Sequence, residues 1–247
     1  MHTRDGAAYR LTQHLYPLIE QVDAFALEFD LNERKTVPNS RQFLLPDGKT
    51  LSDFLRPEQF QKLERILRKT TGIELTSVEY FQPFLIQSLV SEALLRQDEL
   101  TSLDEHLFNY AQKHEVPTIG IESYASQLAV LDQMSVEEQL KNLLEIGRNI
   151  RSYRRNLIDL RERYVRQDIH GLYRKTRRSS GNGRRLLLYD RNRRMADRIT
   201  ELANEKSVFV AIGAAHLAGR FGVLRYLKQA NFTLTPLTTP ELVSNQA

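Results

Sequence analysis

The sequence predicts an α/β fold, in which strands alternate with helices and the helices cover the sheet. In residues 25–30 the two-residue period of a strand puts Phe25, Leu27 and Phe29 on one face and Glu28 and Asp30 on the other. Residues 116–122 are a short run that ends in a carboxylate. Residues 207–212, rich in β-branched and aromatic side chains, run directly into Gly213. Strands separated by helices in this way indicate a layered α/β architecture.

A helix is predicted before each of the three strands. Residues 7–22 precede the first strand, residues 103–114 the second, and residues 190–204 the third. In the last of these helices the apolar residues recur at spacings of four and three, as one buried stripe requires: Met195, Ile199 and Leu202.

The rest of the chain is interpreted as additions to this core. Residues 51–100 and 134–178 are predicted as helical insertions, and residues 232–237 as a closing edge strand with Pro236 near its end. A length of 247 residues suits one well-packed domain. We therefore interpret residues 1–247 as a single domain.

Composition narrows the possible chemistry. There is no cysteine, which excludes disulfides, thiolate metal sites and cysteine nucleophiles. A metal site would have to be built from His, Asp, Glu and water, which suits Zn²⁺, Mn²⁺, Co²⁺ or Fe²⁺. No apolar run approaches the ~18 residues of a transmembrane helix, so no membrane span is predicted.

Positive charge is concentrated in residues 148–198, which contain 17 Lys and Arg against five Asp and Glu. That balance of +12 leaves −8 for the remainder of a chain whose net charge is +4. We predict mostly one long helix here, either a solvated surface helix or a binding surface for nucleic acid. No zinc finger, RNP-like aromatic motif or helix-turn-helix pattern accompanies it, which favours the surface. Its apolar seam consists of Ile150, Tyr153, Leu157, Leu160 and Tyr164.

Polar side chains follow the predicted strands where ligands bind in open α/β sheets. The turn Gly213-Ala214-Ala215-His216 directly follows the third strand, and Glu28 and Glu122 lie at or near the ends of the other two. If the strands are parallel neighbours, these groups converge, which is the minimum for a non-thiolate metal site or for acid–base chemistry. The alternative for each is structural: an ion pair or helix cap for the glutamates, and a loop hydrogen bond for an exposed turn histidine. Asp30 shares the strand face of Glu28.

The helix predicted over residues 190–204 opens with Asp190-Arg191-Asn192. Asp190 is expected as its N-cap. Arg191 lies four residues before Met195, and therefore on the buried stripe, while Arg193 and Arg194 are expected to face elsewhere. An inward-directed arginine needs an acid or an anionic ligand. Arg191 is therefore predicted either to meet a substrate or to pair with one of the glutamates.

Several common catalytic motifs are absent. The sequence has no His-Glu-x-x-His helix, Gly-x-Ser-x-Gly elbow, P-loop or Gly-x-Gly-x-x-Gly turn. This excludes zincins, serine hydrolases and nucleotide enzymes of the common types. The remaining histidines in helical, polar surroundings are expected at the surface: His14, His106, His114 and His170.

Short motifs occur in a fixed order along nearly the whole chain. They are Met1-His2-Thr3, Leu27-Glu28-Phe29-Asp30, Leu103-Asp104, Ile119-Gly120-Ile121-Glu122 with Gln127-Leu128, residues 134–140, Arg191-Asn192-x-x-Met195, and Gly213-Ala214-Ala215-His216-Leu217. This ordered set resembles the TraB/PrgY/GumN family, which includes the Tiki metalloproteases. Met1-His2-Thr3 resembles the end of the family's Gly-Thr-x-His motif.

The resemblance implies a mixed sheet flanked by helices, distantly similar to erythromycin esterase and the haem-binding ChaN proteins. It also implies a divalent metal (Mn, Co or Zn) and hydrolysis of a peptide or protein substrate. Carried onto this chain, the implied metal ligands are His2, Glu28 and His216. The implied catalytic residues are Glu122 as the base (or a further ligand), and Arg191 and Asn192, which would meet the substrate or its developing oxyanion.

The first motif lacks its glycine and the strand leading into it, so His2 lies next to a free terminus. We expect the natural reading frame to extend upstream of Met1 with an apolar, β-branched run, which would also hide any signal peptide. The incomplete motif favours one alternative, a non-catalytic haem- or peptide-binding protein that uses the same pocket. A second alternative is a nucleic-acid-associated protein that uses residues 148–198.

Overall fold

A computed structural model describes the protein over residues 4–36, 43–95, 98–123, 125–126, 129, 133–179 and 185–237. Five residues of the predicted motifs lie outside these ranges: Met1, His2, Thr3, Gln127 and Leu128. Within them, no helix is both long and apolar enough to cross a membrane.

The described strands form one parallel sheet. β1 (Ala24–Phe29) lies in the centre, between β2 (Thr118–Glu122) and β3 (Val208–Ala211). Leu27 of β1 lies opposite residues of both neighbours. The three predicted strands are confirmed, and with them the α/β fold class. Because all three run parallel, their carboxyl ends lie at one edge of the sheet.

Helices account for most of the remaining described residues. The α-helices are, in chain order, α1 (Thr12–Glu20), α2 (Leu31–Thr36), α3 (Pro57–Thr71), α4 (Leu75–Val78), α5 (Pro83–Ala93), α6 (Leu103–Lys113), α7 (Val136–Arg148), α8 (Ile150–Val165), α9 (Ile169–Ser179), α10 (Asp190–Glu205) and α11 (Val223–Gln229). Short 3₁₀ turns occur at Gly6–Leu11, Pro46–Gly48, Leu51–Asp53 and Ala214–His216, and a π-helical turn at Arg185–Tyr189.

The alternating side chains of β1 divide the packing around the sheet into two cores. Phe25 and Leu27 pack with α1 and α6 on one face, whereas Ala26 packs with α10 and α11 on the other. Glu28 points to the same face of the sheet as Ala26, because successive side chains of a strand point to opposite faces. Its carboxylate therefore lies on the α10 side of the sheet.

The predicted helical insertions pack mainly against each other. α3, α5 and α7 share a third core, in which Leu67, Ile86 and Leu143 are fully buried. α3 and α5 belong to the first insertion and α7 to the second, so the two regions meet although they are distant in sequence. The helix that packs against β2 and β3 is α10, and α9 of the second insertion contacts the turn after β3.

The closing strand predicted over residues 232–237 is wrong, because these residues pair with no described strand. After α11, Asn231 takes a left-handed backbone conformation with φ of 67°. The N–H of Phe232 then donates to the Leu227 carbonyl at 3.0 Å. An alternating apolar pattern shows which side chains would share a face of a strand, but a strand also needs a neighbouring strand with which to pair. Pro236, in addition, has no N–H to donate.

The basic segment is not one long helix, since α8 and α9 are separate. Gln167, between them, has a φ of 55°, which ends the regular helical hydrogen bonding. Asp168 then accepts hydrogen bonds from the Gly171 N–H at 2.7 Å and from Arg163 Nη1 at 2.8 Å. The apolar seam predicted the helical period of α8 but not this break, which depends on side-chain contacts around Asp168.

Candidate active site

The carboxyl edge of the sheet carries the residues that the sequence singled out. Glu28 is the next-to-last residue of β1, and Glu122 is the last residue of β2. Phe29, which follows Glu28, lies opposite Glu122 in the parallel register. β3 ends at Ala211, and the turn that contains His216 comes two residues later. Since β1 is central, Glu28 lies between the other two groups.

Arg191, in the first turn of α10, joins the two glutamates. Its Nε donates to Glu122 Oε2 at 2.9 Å, and its Nη2 lies 2.5 Å from the same oxygen and also bonds Glu28 Oε1. The Arg191 side chain is 12% exposed, that of Glu122 3% and that of Glu28 22%. A single guanidinium therefore bridges carboxylates from two neighbouring strands in a largely buried position.

Arg194 also contacts this cluster, contrary to the expectation that it faces elsewhere. Its Nη2 lies 3.3 Å from Glu122 Oε1, and its side chain is half exposed. Residues three apart on a helix lie on the same side, so Arg194 follows Arg191 toward β2. Asp190 is not the N-cap, since the π-helical turn leads directly into α10 and Tyr189 occupies the cap position.

Electrostatics keeps Glu28 and Arg191 ionised. Burial by itself would raise the pKa of Glu28, but the Arg191 guanidinium and, secondarily, His216 lower it to about 2. Burial would lower the pKa of Arg191, yet its hydrogen bond with Glu122 and the charge of Glu28 raise it above the ordinary value. Both groups are therefore charged at neutral pH, and the buried ions compensate one another.

His216 is only 7% exposed, so the expectation of an exposed turn histidine is wrong. Its Nδ1 lies 2.5 Å from Oδ1 of Asn192, which is fully buried. The Nδ2 of Asn192 donates to the Phe221 carbonyl at 2.6 Å. Burial lowers the pKa of His216, and this effect exceeds the opposing attraction of the Glu28 carboxylate. The imidazole is therefore neutral at pH 7.

Gly213 lies against both Glu28 and His216, and its lack of a side chain allows this close approach. A Cβ added to Gly213 would lie 3.3 Å from His216 Cδ2, 3.9 Å from His216 Nε2 and 3.4 Å from Glu28 Oε2. The Gly213 N–H also lies 3.3 Å from Glu28 Oε2 and donates to it. Thus Glu28 Oε1 faces Arg191, while Glu28 Oε2 and His216 Nε2 both border the hydrogen side of Gly213.

Comparison with known families identifies the chain. The sequence profile of the TraB/PrgY/gumN family matches residues 1–236. The protein belongs to the TraB/PrgY/gumN family. Searches among curated proteins and among solved structures found no match. The family match spans every residue of the cluster, from Glu28 in β1 to His216 after β3.

The described part of this TraB/PrgY/gumN chain supplies a limited set of metal donors. No three of its His, Asp and Glu residues are grouped so as to hold a metal ion. Glu28 Oε2 and His216 Nε2 are the two donors that border one space, whereas both oxygens of Glu122 face arginines. The predicted third ligand, His2, lies outside the described residues.

The other histidines in the described part of this family member lie outside the cluster. His106 Nε2 is 2.7 Å from the Tyr16 hydroxyl, and the His106 ring meets the Tyr9 ring edge-on at 5.1 Å. His114 stacks on Tyr110. His106 is thus half buried in an aromatic group on the α1–α6 side rather than fully at the surface.

Several cations of the basic segment are paired with acidic side chains. Arg161 bonds the buried Asp5, and both Arg163 and Lys175 bond Asp159. Arg191 lies in the cluster. The interpretation of this segment as a surface rather than a nucleic-acid site stays a prediction.

Two parts of the site were missed by sequence reasoning. The Phe221 carbonyl, which orients Asn192, has no signal in the sequence because every residue carries the same backbone group. The contact of Arg194 with Glu122 could have been found, since Arg191 and Arg194 are three residues apart on a predicted helix.

Proposed function

We propose that this member of the TraB/PrgY/gumN family is a divalent-metal-dependent hydrolase that cleaves a peptide bond. The observation that carries the proposal is that Glu28 Oε2 and His216 Nε2 both lie within 4 Å of the position that a Cβ of Gly213 would occupy. One donor is an ionised carboxylate and the other a neutral imidazole, the forms that metal ligation requires.

These two donors suit a divalent cation such as Zn²⁺, Mn²⁺ or Co²⁺. Gly213 supports this fit, because a side chain at that position would occupy the space beside both donors. We propose Glu28 and His216 as ligands, with water and the histidine of the first motif, His2, completing the coordination. A catalytic site of this kind keeps at least one position open for water or substrate.

The remaining residues of the cluster would serve the hydrolysis. When bound, the metal supplies a Lewis acid that polarises the scissile carbonyl and acidifies water. Glu122 would accept the proton of the attacking water at Oε1, the oxygen whose described partner is the half-exposed Arg194 at 3.3 Å. Arg191 remains a cation and would stabilise negative charge on the substrate oxygen. It also orients Glu28 by bonding Oε1, and Oε2 is the oxygen that we propose as the ligand.

The deciding experiment uses the full chain purified without a chelating tag. We expect elemental analysis to find a divalent metal, and a peptide library followed by mass spectrometry to show cleavage that a chelator abolishes. Glu28→Gln should lose both properties. The matched control is Glu205→Gln, because Glu205 is exposed at the far end of the same helix as Arg191.

The outcomes separate the candidate functions. Absence of both bound metal and metal-dependent cleavage would overturn the proposal. Bound metal, haem or peptide without any cleavage would instead favour the binding-protein alternative, for which the bridging of both glutamates by Arg191 is the structural support.

Gly213→Ala provides a test that does not depend on knowing the substrate. The backbone at Gly213 (φ −55°, ψ 127°) suits alanine, so the free energy of unfolding should change by less than about 1 kcal/mol. The added methyl group would displace Glu28 or His216, and metal ligands tolerate only about 0.2 Å of misplacement. We expect Co²⁺ affinity, measured by absorption titration, to fall on the order of 10-fold or more. An unchanged affinity in a folded variant would show that no metal binds beside Gly213.

A further inference from the structure

Asn192 is the polar residue most deeply buried beside the site, and its amide is engaged on both sides. It is fully buried in α10, next to Met195 and Ala196 of the sheet core. A buried amide costs free energy unless it is hydrogen-bonded. Its two short hydrogen bonds, to Phe221 and to His216, compensate that cost. A side chain held in this way has no surface with which to contact a substrate.

The orientation of the Asn192 amide follows from the chemistry of its partners. The Phe221 carbonyl can only accept, so the amide nitrogen must face it, and this nitrogen donates at 2.6 Å. The amide oxygen is thereby turned toward His216, where Nδ1 lies 2.5 Å away. Because an amide oxygen can only accept, His216 must carry its proton on Nδ1.

The Phe221 carbonyl is itself held in place by the chain that follows His216. The N–H of Gly222 donates to the Gly219 carbonyl at 3.1 Å, and the N–H of Leu224 donates to the Leu217 carbonyl at 3.2 Å. These bonds close the loop between the histidine turn and α11. The acceptor for Asn192 is therefore part of an ordered loop.

We infer that Asn192 is a positioning residue, which keeps the His216 proton on Nδ1 and so leaves the lone pair on Nε2, the nitrogen beside Gly213. A neutral imidazole has one protonated and one unprotonated nitrogen, so a proton on Nδ1 leaves Nε2 with a lone pair that can bind a metal ion. Nε2 is the nitrogen that borders the space beside Gly213. The inference deepens the proposed function and replaces the substrate-contacting role that the family resemblance implied for Asn192.

The test compares a substitution that removes the whole amide with one that removes only its nitrogen. Asn192→Ala removes the acceptor for His216. Asn192→Asp keeps an oxygen for His216 Nδ1 but loses the donor to Phe221. If Asn192 has only a structural role, metal affinity should fall in proportion to the loss of stability in each variant. If it is a positioning residue, metal affinity should fall only in the variant that lacks the oxygen accepting from His216. Asn204→Ala is the matched control, because Asn204 is exposed on the same helix.

The first readout is the tautomer of His216, measured by ¹⁵N–¹H long-range NMR correlation on the metal-free full chain. We expect a single Nδ1–H tautomer in the wild-type protein, in Asn192→Asp and in Asn204→Ala, and a mixture with Nε2–H in Asn192→Ala. The second readout is Co²⁺ titration. Loss of a partner that orients a ligating histidine typically weakens metal binding about 10–100-fold, and we expect that loss in Asn192→Ala but not in Asn192→Asp.

The outcomes distinguish failure of this inference from failure of the proposed function. An Nε2–H tautomer in the wild-type protein, or an unaltered tautomer and Co²⁺ affinity in Asn192→Ala, would overturn the role of Asn192 even if metal binds. If no variant binds Co²⁺ but the tautomer changes as expected, the positioning role is supported and metal dependence fails. If Asn192→Ala does not fold, the wild-type and Asn192→Asp tautomers still decide the question.

Discussion

Replacing Arg191 with methionine should lower the free energy of unfolding by about 3 kcal/mol, the lower end of the range for removing one partner of a buried ion pair. The substitution leaves the Glu28 and Glu122 carboxylates together without the cation that bridges them. Arg194 reduces the penalty, since it still contacts Glu122. The measurement is urea unfolding at neutral pH, where the pKa of Glu28 near 2 leaves this group ionised in the native protein.

Arg198→Met is the matched control for this prediction. Arg198 lies two turns further along α10 and pairs with Glu201 at 2.9 Å, but both side chains are well exposed. A surface pair of this kind contributes about 0.5 kcal/mol or less. The double variant Arg191→Met/Glu122→Gln should recover part of the loss, because one of the two uncompensated charges is then removed. Equal effects of Arg191→Met and Arg198→Met would mean that the bridging ion pair contributes no more than a surface one.

His216→Gln should weaken divalent-metal binding by more than the roughly 10–100-fold typical of an outer-shell substitution, because it removes a proposed ligand itself. Glutamine is chosen over alanine because His216 is buried and bonded to Asn192. Alanine would leave a cavity and an unsatisfied amide oxygen, and so would confuse loss of fold with loss of the ligand. Glutamine retains a donor for Asn192.

Metal titration and thermal melting of His216→Gln decide this prediction together. The control is His170→Gln, since His170 is an exposed residue of α9, and it should change neither quantity. A stable His216→Gln variant with wild-type affinity would exclude His216 as a ligand. Loss of binding together with a cooperative melt would support the assignment.

Much of the sheet and the membership of the site were predictable because they depend on local patterns. The two-residue period of residues 25–30 predicts β1 and the face of the sheet to which Glu28 points. The packing of Phe25 and Leu27 on one face and of Ala26 on the other confirms this division. The stripe of Met195, Ile199 and Leu202 predicts α10 and the inward direction of Arg191. The same rules failed for residues 232–237, where the period was strand-like but no strand partner is described.

Local patterns were sufficient to predict the three strands, the helix that carries Arg191 and Asn192, and the position of Glu28, Glu122 and His216 at strand ends. The packed fold was needed to show that β1 is central, that Arg191 bridges both glutamates, and that the buried His216 is hydrogen-bonded to Asn192. The reason is physical. Periodicity reports how a segment divides its own side chains between two environments, whereas strand order and hydrogen-bond partners depend on which distant segments pack together. The Phe221 carbonyl is the clearest case, because a backbone acceptor common to every residue acquires a role only through its place in the fold.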